Sequence, residues 1–345
     1  MPLESRMDAI PHLFCRSVVN AISYGGIDNK TAKNPRFEDY MWKDAFEKYG
    51  KRHITTARLY RSEGQWKYGF DVDEAPHNSN EAPFLTLREV QKLPQIENVR
   101  VRFLSVNNAV KADDDDDDNN LGKRVRPLDV SITDLFKFIR SRSSQNDFSF
   151  INYDPLTPEE AQEITKEIEQ WSFKMLHVYD YNFAYDKLLQ TQLSNEFKTD
   201  IILEANSFSS ESLEIVKECI ASANFTRFQI NACESDFAFN FEVFERFFEN
   251  LLKNSDKFDS LAAPFDRVSL GKVKDFKTAL RINNTFMSED TYRCSWNINN
   301  KFRLQLEITD SYWCRLLQFV DSDRNRNRKI MSYLFQENLR TGVEK

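Results

Sequence analysis

Four short apolar segments recur along the middle of this chain at nearly equal intervals. One apolar residue from each segment is Phe150, Leu176, Ile201 and Phe228, and the intervals between them are 26, 25 and 27 residues. Each segment reads as a β-strand, like the earlier run Val99-Arg100-Val101-Arg102-Phe103, in which apolar and polar residues alternate. Helical patterns lie around and between them, at 128–141, 157–169, 183–193, 209–222 and 241–254. The spacing therefore predicts a repeated strand–helix unit, with a further strand expected at 267–270 after an interval of 40 residues.

A single strand–helix unit cannot bury its own apolar face, so successive units have to stack on one another. A period of about 20–29 residues is typical of leucine-rich-repeat-like solenoids. The predicted fold class is therefore α/β, as a degenerate leucine-rich-repeat-like (strand–helix) solenoid; an ordinary open α/β sheet with regular connections is the alternative. The leucine consensus is poorly kept. Because the chain has 29 Phe, we expect Phe to fill the core positions that Leu fills in regular repeats.

The segments that flank the repeats differ from them in pattern. Residues 1–50 read as an N-terminal helical segment, and 51–84 as a β-hairpin and linker with its turn at Ser62-Glu63-Gly64. The repeat region is placed at 85–272, with an acidic insertion at 111–127 that carries the run Asp113–Asp118. Residues 273–345 read as a β-rich cap at the end of the solenoid, with a helix expected at 273–280 and a meander of three strands at 292–298, 302–308 and 312–319. Four domains or segments are thus expected.

Composition argues against several kinds of active site. The chain has only 8 Gly, and neither a dinucleotide fingerprint, a phosphate loop nor a Gly-x-Ser-x-Gly elbow occurs. The four His and five Cys lack the spacings of a metal site, and a net charge of −7 argues against nucleic acid. We therefore expect no cofactor, no metal and no catalytic residue. An enzyme of unrecognised type that gathers distant residues, such as His177 with Cys219, is the remaining alternative.

The sequence also predicts a location and a binding surface. No apolar stretch suits a signal or a membrane span, so the cytoplasm or the nucleus is expected. If the four core positions point inward, the residues that follow them line the opposite, concave face: Ile151, His177, Ile202 and Gln229. Two aliphatic residues without paired carboxylates suggest contact with a protein rather than catalysis. The alternative is that helices cover both faces.

The segment Met7-Asp8-Ala9-Ile10-Pro11-His12-Leu13-Phe14-Cys15-Arg16-Ser17-Val18-Val19 resembles the opening of an F-box, with a hydrophobic–Pro pair and then apolar residues on one helix face. The layout is similar to the nematode-expanded families of F-box-like proteins, in which such an opening precedes a degenerate leucine-rich-repeat-type region. Trp42-Lys43-Asp44-Ala45-Phe46 and Trp66-Lys67-Tyr68-Gly69-Phe70 resemble features of those families too. The resemblance covers about the first 70 residues.

This resemblance implies a role as a substrate receptor of a Skp–cullin–F-box ubiquitin ligase. A Skp-type adaptor would contact Ile10, Pro11, Leu13, Phe14 and Val18, and the repeats would hold a substrate protein. The sequence leaves a second interpretation open: a repeat-type scaffold with no ubiquitin role, in which the F-box-like helix only caps the first repeat.

Overall fold

The computed structural model of this protein describes the hairpin, the repeat region and the meander. The described residues are 53–72, 84–93, 96, 99–108, 124–144, 147–195, 198–232, 237–253, 258–276, 281–288, 291–297, 302–308 and 313–320. The chain divides into two compact units. The first takes in the residues up to Phe103 and those from Lys111 to Ser144, and the second takes in Leu104–Val110 and all residues from Gln145 onward. The helices predicted within residues 1–50 and the acidic run lie outside the described residues.

The hairpin of the first unit forms as the sequence predicts. Strand β1 (His53–Ser62) pairs antiparallel with strand β2 (Gln65–Val72). The turn residues Glu63 and Gly64 both have positive φ, 52° and 73°. A two-residue hairpin turn of this kind matches the right-handed twist of the strands and requires φ > 0 at both central residues, which Gly adopts without strain.

The first unit also contains two further strands and two helices. They are β3 (Val99–Asn108, of which the first unit holds the residues up to Phe103), β4 (Arg126–Pro127), α1 (Leu87–Gln91) and α2 (Ile132–Arg142). The strand order is β3-β1-β2-β4. Phe70 of β2 packs edge-on against Phe138 of α2, with ring centroids 5.6 Å apart. On the other side of β2 a Cβ at Gly69 would come within 2.5 Å of Phe84 Cβ, so only Gly allows this approach.

The second unit is built from parallel strands that alternate with helices. The strands are β5 (Ser149–Asn152), β6 (Met175–Val178), β7 (Thr199–Ala205), β8 (Phe225–Ala232) and β9 (Ser260–Pro264). The helices are α3 (Pro158–Ile168), α4 (Asp186–Ser194), α5 (Ser210–Ser222), α6 (Phe241–Lys253) and α7 (Leu270–Asp275), with 3₁₀ turns at Phe183–Tyr185 and Arg267–Ser269. β5 to β9 lie side by side in chain order and pair in parallel. The predicted α/β class is confirmed.

The helices begin where the sequence places its capping residues. Thr157 accepts a hydrogen bond from the Glu160 backbone N–H, and the Glu160 side chain accepts one from the Thr157 N–H, with Pro158 at the first helical position. Ser209 caps α5 in the same way through the Ser212 N–H. Such caps satisfy backbone donors that the helix itself leaves open. They fix the start of each helix and therefore the length of the preceding loop.

One predicted strand is wrong. Residues 267–269 form a 3₁₀ turn in which Val268 is 82% exposed, and the fifth strand is β9, whose Leu261 pairs with Phe228. The interval is therefore 33 residues rather than 40. The sequence of β9 is Ser-Leu-Ala-Ala-Pro, and Ala and Pro are both depleted in strands. For that reason the pattern gave no signal there.

The core lies on one face of the parallel strands. Phe150, Leu176, Ile201, Phe228 and Leu261 lie opposite one another along the sheet and are each at most 1% exposed. Right-handed crossovers between strands in sequential order place every helix on the same face. The opposite face of these strands is half-buried rather than buried. The expectation that Phe occupies core positions is met at Phe150 and Phe228.

An antiparallel meander continues the sheet of the second unit. Its strands are β10 (Arg281–Ser288), β11 (Thr291–Asn297), β12 (Phe302–Ile308) and β13 (Trp313–Val320), and β13 pairs antiparallel with β9. β10 was not predicted, and the helix expected at 273–280 is α7, which ends at Asp275. Trp296 of β11 is fully buried against Phe244 and Phe248 of α6. The meander thus extends the sheet by pairing with its last parallel strand.

Candidate functional site

The four residues predicted for a binding face lie in one row across the sheet. Ile151 pairs with His177, His177 with Ile202 and Ile202 with Gln229, in exact cross-strand register. All four side chains are half-buried. We call the side of β5–β9 that carries this row the open face. Successive side chains of a strand point to opposite faces. Because the buried core residue that precedes each of these four is in register with its neighbours, the four residues of the row are in register too.

A hydrogen-bonded pair gives the open face its most defined polar feature. His177 Nε2 lies 2.8 Å from Glu204 Oε1, and the two side chains are 22% and 28% exposed. The Tyr153 ring lies edge-on to the imidazole, with centroids 6.5 Å apart. Next to this pair, Gln229 Nε2 donates to Asn231 Oδ1 at 2.8 Å. These contacts hold the polar groups in place, so the surface that they present is ordered.

Charged side chains lie on the open face beside the row, toward the amino ends of β7 and β8 and also farther along the sheet. Asp200 lies directly across from Arg227 in the sheet, and burial raises the pKa of the Asp200 carboxyl against the opposing effect of the Arg227 charge. Arg227 also reaches Asp259 Oδ2 at 3.6 Å. Farther along the sheet, Arg315 pairs across from Glu307, and burial lowers the pKa of the Arg315 guanidinium. The face is therefore mixed in character, with aliphatic residues near its centre and charges around them.

The pair that would support an enzymatic reading is not brought together. His177 is engaged with Glu204 on the open face, whereas Cys219 is completely buried in α5, where burial raises the pKa of its thiol well above the usual value. A thiol in such surroundings is a poor nucleophile, because the thiolate is the reactive form. Within the described ranges no group of three or more His, Cys, Asp and Glu side chains is placed to hold a metal ion.

The residues predicted to contact a Skp-type adaptor are Ile10, Pro11, Leu13, Phe14 and Val18. All five lie outside the described residues. Their role stays a prediction.

Sequence reasoning missed three exposed aromatic residues that lie just beyond the carboxyl ends of β5 and β6. Tyr153 is 48% exposed, Tyr179 39% and Phe183 58%. A signal was present: of the three Tyr-Asp dipeptides, at 153–154, 179–180 and 185–186, the first two lie one repeat apart. These two directly follow a strand, at the edge where parallel α/β sheets commonly bind ligands.

Comparisons with known protein families, with curated proteins and with solved structures returned no match. None of the described helices is long and apolar enough to cross a membrane.

Proposed function

We propose that this protein is a non-enzymatic binding protein whose open face holds another protein. The observation that carries the proposal is the ordered row of Ile151, His177, Ile202 and Gln229, half-exposed on neighbouring strands. Aliphatic residues that stay accessible on a rigid sheet face, with polar groups around them, have the composition of a protein-binding surface.

The parallel strands and their helices are proposed to be degenerate leucine-rich-repeat-like units. Three features support this: the near-equal intervals, the sequential order of the parallel strands, and the in-register core positions filled by Phe, Leu or Ile. In such an arrangement each unit adds one strand to a continuous face. A long binding surface is then built from small contributions of successive units.

The proposed cellular role is that of a substrate receptor in a Skp–cullin–F-box ubiquitin ligase, in the cytoplasm or the nucleus. The support is the F-box-like opening at residues 7–19. In this role the adaptor-bound segment and the open face would raise the effective concentration of a substrate protein near the ligase. No chemistry is required of this chain itself.

A pull-down with a purified Skp-type adaptor tests the ligase role. The full chain is expected to retain the adaptor, the double variant Pro11→Ala with Leu13→Ala is expected to lose it, and the exposed Pro127→Ala serves as the matched control. If the wild-type chain retains no Skp-type adaptor, the ligase role is wrong. In the scaffold interpretation, deleting residues 1–25 lowers the thermal unfolding temperature instead of releasing a partner.

A substitution on the open face tests the binding role separately. Ile202→Arg places a charge at the centre of the row, and Leu252→Arg on α6 is the matched control, since Leu252 is 40% exposed on the helical side. Quantitative cross-linking mass spectrometry in cells is expected to show that Ile202→Arg alone loses partners. An unchanged set of cross-linked proteins would mean that the open face is not the binding surface.

A further inference from the structure

The charges of the repeat region are sorted by position within each unit. Between Ser149 and Asp259 the chain has nine Lys and Arg residues, all of which lie in four intervals: 166–174, 187–198, 217–227 and 246–259. The other four intervals contain fourteen Asp and Glu residues and no Lys or Arg: 149–165, 175–186, 199–216 and 228–245. Three acidic intervals begin at the first residue of a strand and the fourth begins within strand β8, and each ends in the first turns of a helix.

The parallel fold turns this sequence pattern into an acidic edge. Because β5 to β8 run in the same direction, the loops that follow them lie along one side of the sheet. We call the loops 153–157, 179–182 and 206–209 the carboxyl edge. Acidic residues within the first helical turns are accounted for by the helix dipole. Asp154 and Asp180 precede the helices, in loops, so they add negative potential that the dipole does not explain.

The two loop carboxylates are held in place by hydrogen bonds. Asp154 Oδ2 accepts a hydrogen bond from the Asn108 N–H at 2.9 Å, and Asp180 Oδ1 accepts one from Asn206 Nδ2 at 3.3 Å. Neither forms an ion pair with a Lys or Arg anywhere in the described part of the chain. Both carboxylates are therefore positioned to interact with a cation from outside.

The exposed aromatic rings lie at the same edge and on a rigid backbone. The Tyr179 N–H donates to the Asn152 carbonyl at 3.1 Å, and Asn152 Nδ2 donates back to the Tyr179 carbonyl at 3.3 Å. Asn182, next to Phe183, reaches the Leu156 carbonyl at 3.5 Å. These bonds tie the two loops together, so the rings of Tyr153, Tyr179 and Phe183 remain exposed on a fixed surface.

We propose that the carboxyl edge binds a lysine- or arginine-bearing segment of a partner protein. The rings pack against the aliphatic stems of these side chains and contact their cations, and Asp154 and Asp180 pair with the charges. The occupant is chosen by charge complementarity, because the charged residues of these loops are Asp154 and Asp180, with no Lys or Arg among them, and an anionic partner would be repelled. The inference rests on the proposed function and adds the chemical class of the partner.

The test measures binding of a fluorescein-labelled peptide of alternating arginine and glycine to the full chain by fluorescence anisotropy. A peptide of alternating glutamate and glycine is the control for charge. We expect the arginine peptide to bind more tightly by about tenfold or more at low salt and to weaken as ionic strength rises. If the two peptides bind equally, the proposal is wrong.

Variants separate this surface from general attraction to an acidic protein. Replacing both Tyr153 and Tyr179 with Ala is expected to weaken the arginine peptide by about 5- to 30-fold. Asp154→Asn with Asp180→Asn is expected to weaken it by about 3- to 10-fold. The matched control is Glu249→Gln with Leu252→Ala on α6, which removes one charge and one exposed apolar side chain and is expected to change nothing.

If the double tyrosine variant unfolds, binding of the arginine peptide is measured with Phe183→Ala instead, because this side chain is the most exposed of the three rings. If the arginine peptide binds every variant equally, the proposal for the carboxyl edge is wrong. The open-face proposal is not affected by that result, because Ile202→Arg tests it separately. If instead the carboxyl edge binds the peptide and Ile202→Arg loses no partner, the two surfaces are distinguished and only the open-face proposal is wrong.

Discussion

Phe244 offers a direct test of how the repeat region and the meander are held together. Its side chain is fully buried in α6. Aromatic rings surround it on several sides, with centroids between 5.8 and 6.4 Å away: Phe241, Phe248, Phe265, Phe276 and Trp296. These rings come from α6 itself, from the chain around β9 and α7, and from β11, so a single side chain joins elements that are distant in sequence.

The cost of Phe244→Ala follows from this burial. Burying a Phe side chain removes about 150–250 Å² from water, which at about 25 cal/mol per Å² is worth roughly 4–6 kcal/mol. Measured losses for Phe→Ala in cores are about 3–5 kcal/mol. Because rings on several elements surround the site and cannot all collapse into the cavity, we expect about 4–5 kcal/mol. Phe244→Leu keeps most of the volume and is expected to cost about 1–1.5 kcal/mol.

The assay is urea denaturation followed by far-ultraviolet circular dichroism, combined with hydrogen exchange of peptides from α6 and β11. Phe183→Ala, an exposed Phe in the same unit, is the control and should stay within about 0.5 kcal/mol of wild type. In Phe244→Leu, exchange should rise in β11 as well as in α6. A loss below about 1 kcal/mol for Phe244→Ala, or protection of β11 that does not change, would refute the packing of α6 on the meander.

Three further predictions concern stability. Burial is the main cause that raises the pKa of Tyr68 from 10.0 to about 12, so its contribution to stability is full below pH 10 and is lost as the pH rises through about 12. Burial also raises the pKa of Tyr181 and Tyr185, so denaturation curves at several alkaline pH values should show a smaller loss in Tyr68→Phe than in wild type, and an equal loss would contradict this reasoning. Gly69→Ala should cost about 1–3 kcal/mol by thermal melting because of the ring that packs over it, whereas Gly271→Ala, with nothing within 4 Å, should not destabilise. Arg246 and Glu218 form a bidentate ion pair at 2.7 Å, and both side chains are about half exposed. A double-mutant cycle on this pair should give a coupling free energy of about 1 kcal/mol or less. A coupling well above that would contradict the expected solvent screening.

Elements with a strong local signal could be predicted from the sequence. The starts of α3 and α5 follow from Thr157 and Ser209, because side-chain caps act within four residues. The row on the open face follows from the strand period, because a register fixed by Phe150 and Leu176 also fixes the positions of Ile151 and His177. Both inferences need only local sequence.

Elements that depend on long-range pairing could not be predicted. β9 is rich in Ala and is held by β8 on one side and β13 on the other. β10 is polar and gains its place by pairing with β11. The aromatic residues of the carboxyl edge were missed for a different reason: Tyr153 and Tyr179 lie in loops, where no period tells which way a side chain points.

The antiparallel pairing of β13 with β9 has a consequence for synthesis on the ribosome. Each parallel strand can pair as soon as the next repeat unit has emerged, but the outer edge of β9 waits for about 50 more residues before β13 arrives. At about 5–20 residues per second this is a delay of roughly 3–10 s. During it the nascent chain exposes an unpaired strand edge and the apolar face on which Trp296 will settle. Chaperone contact is therefore expected at this stage, after the helices of the repeats have already formed.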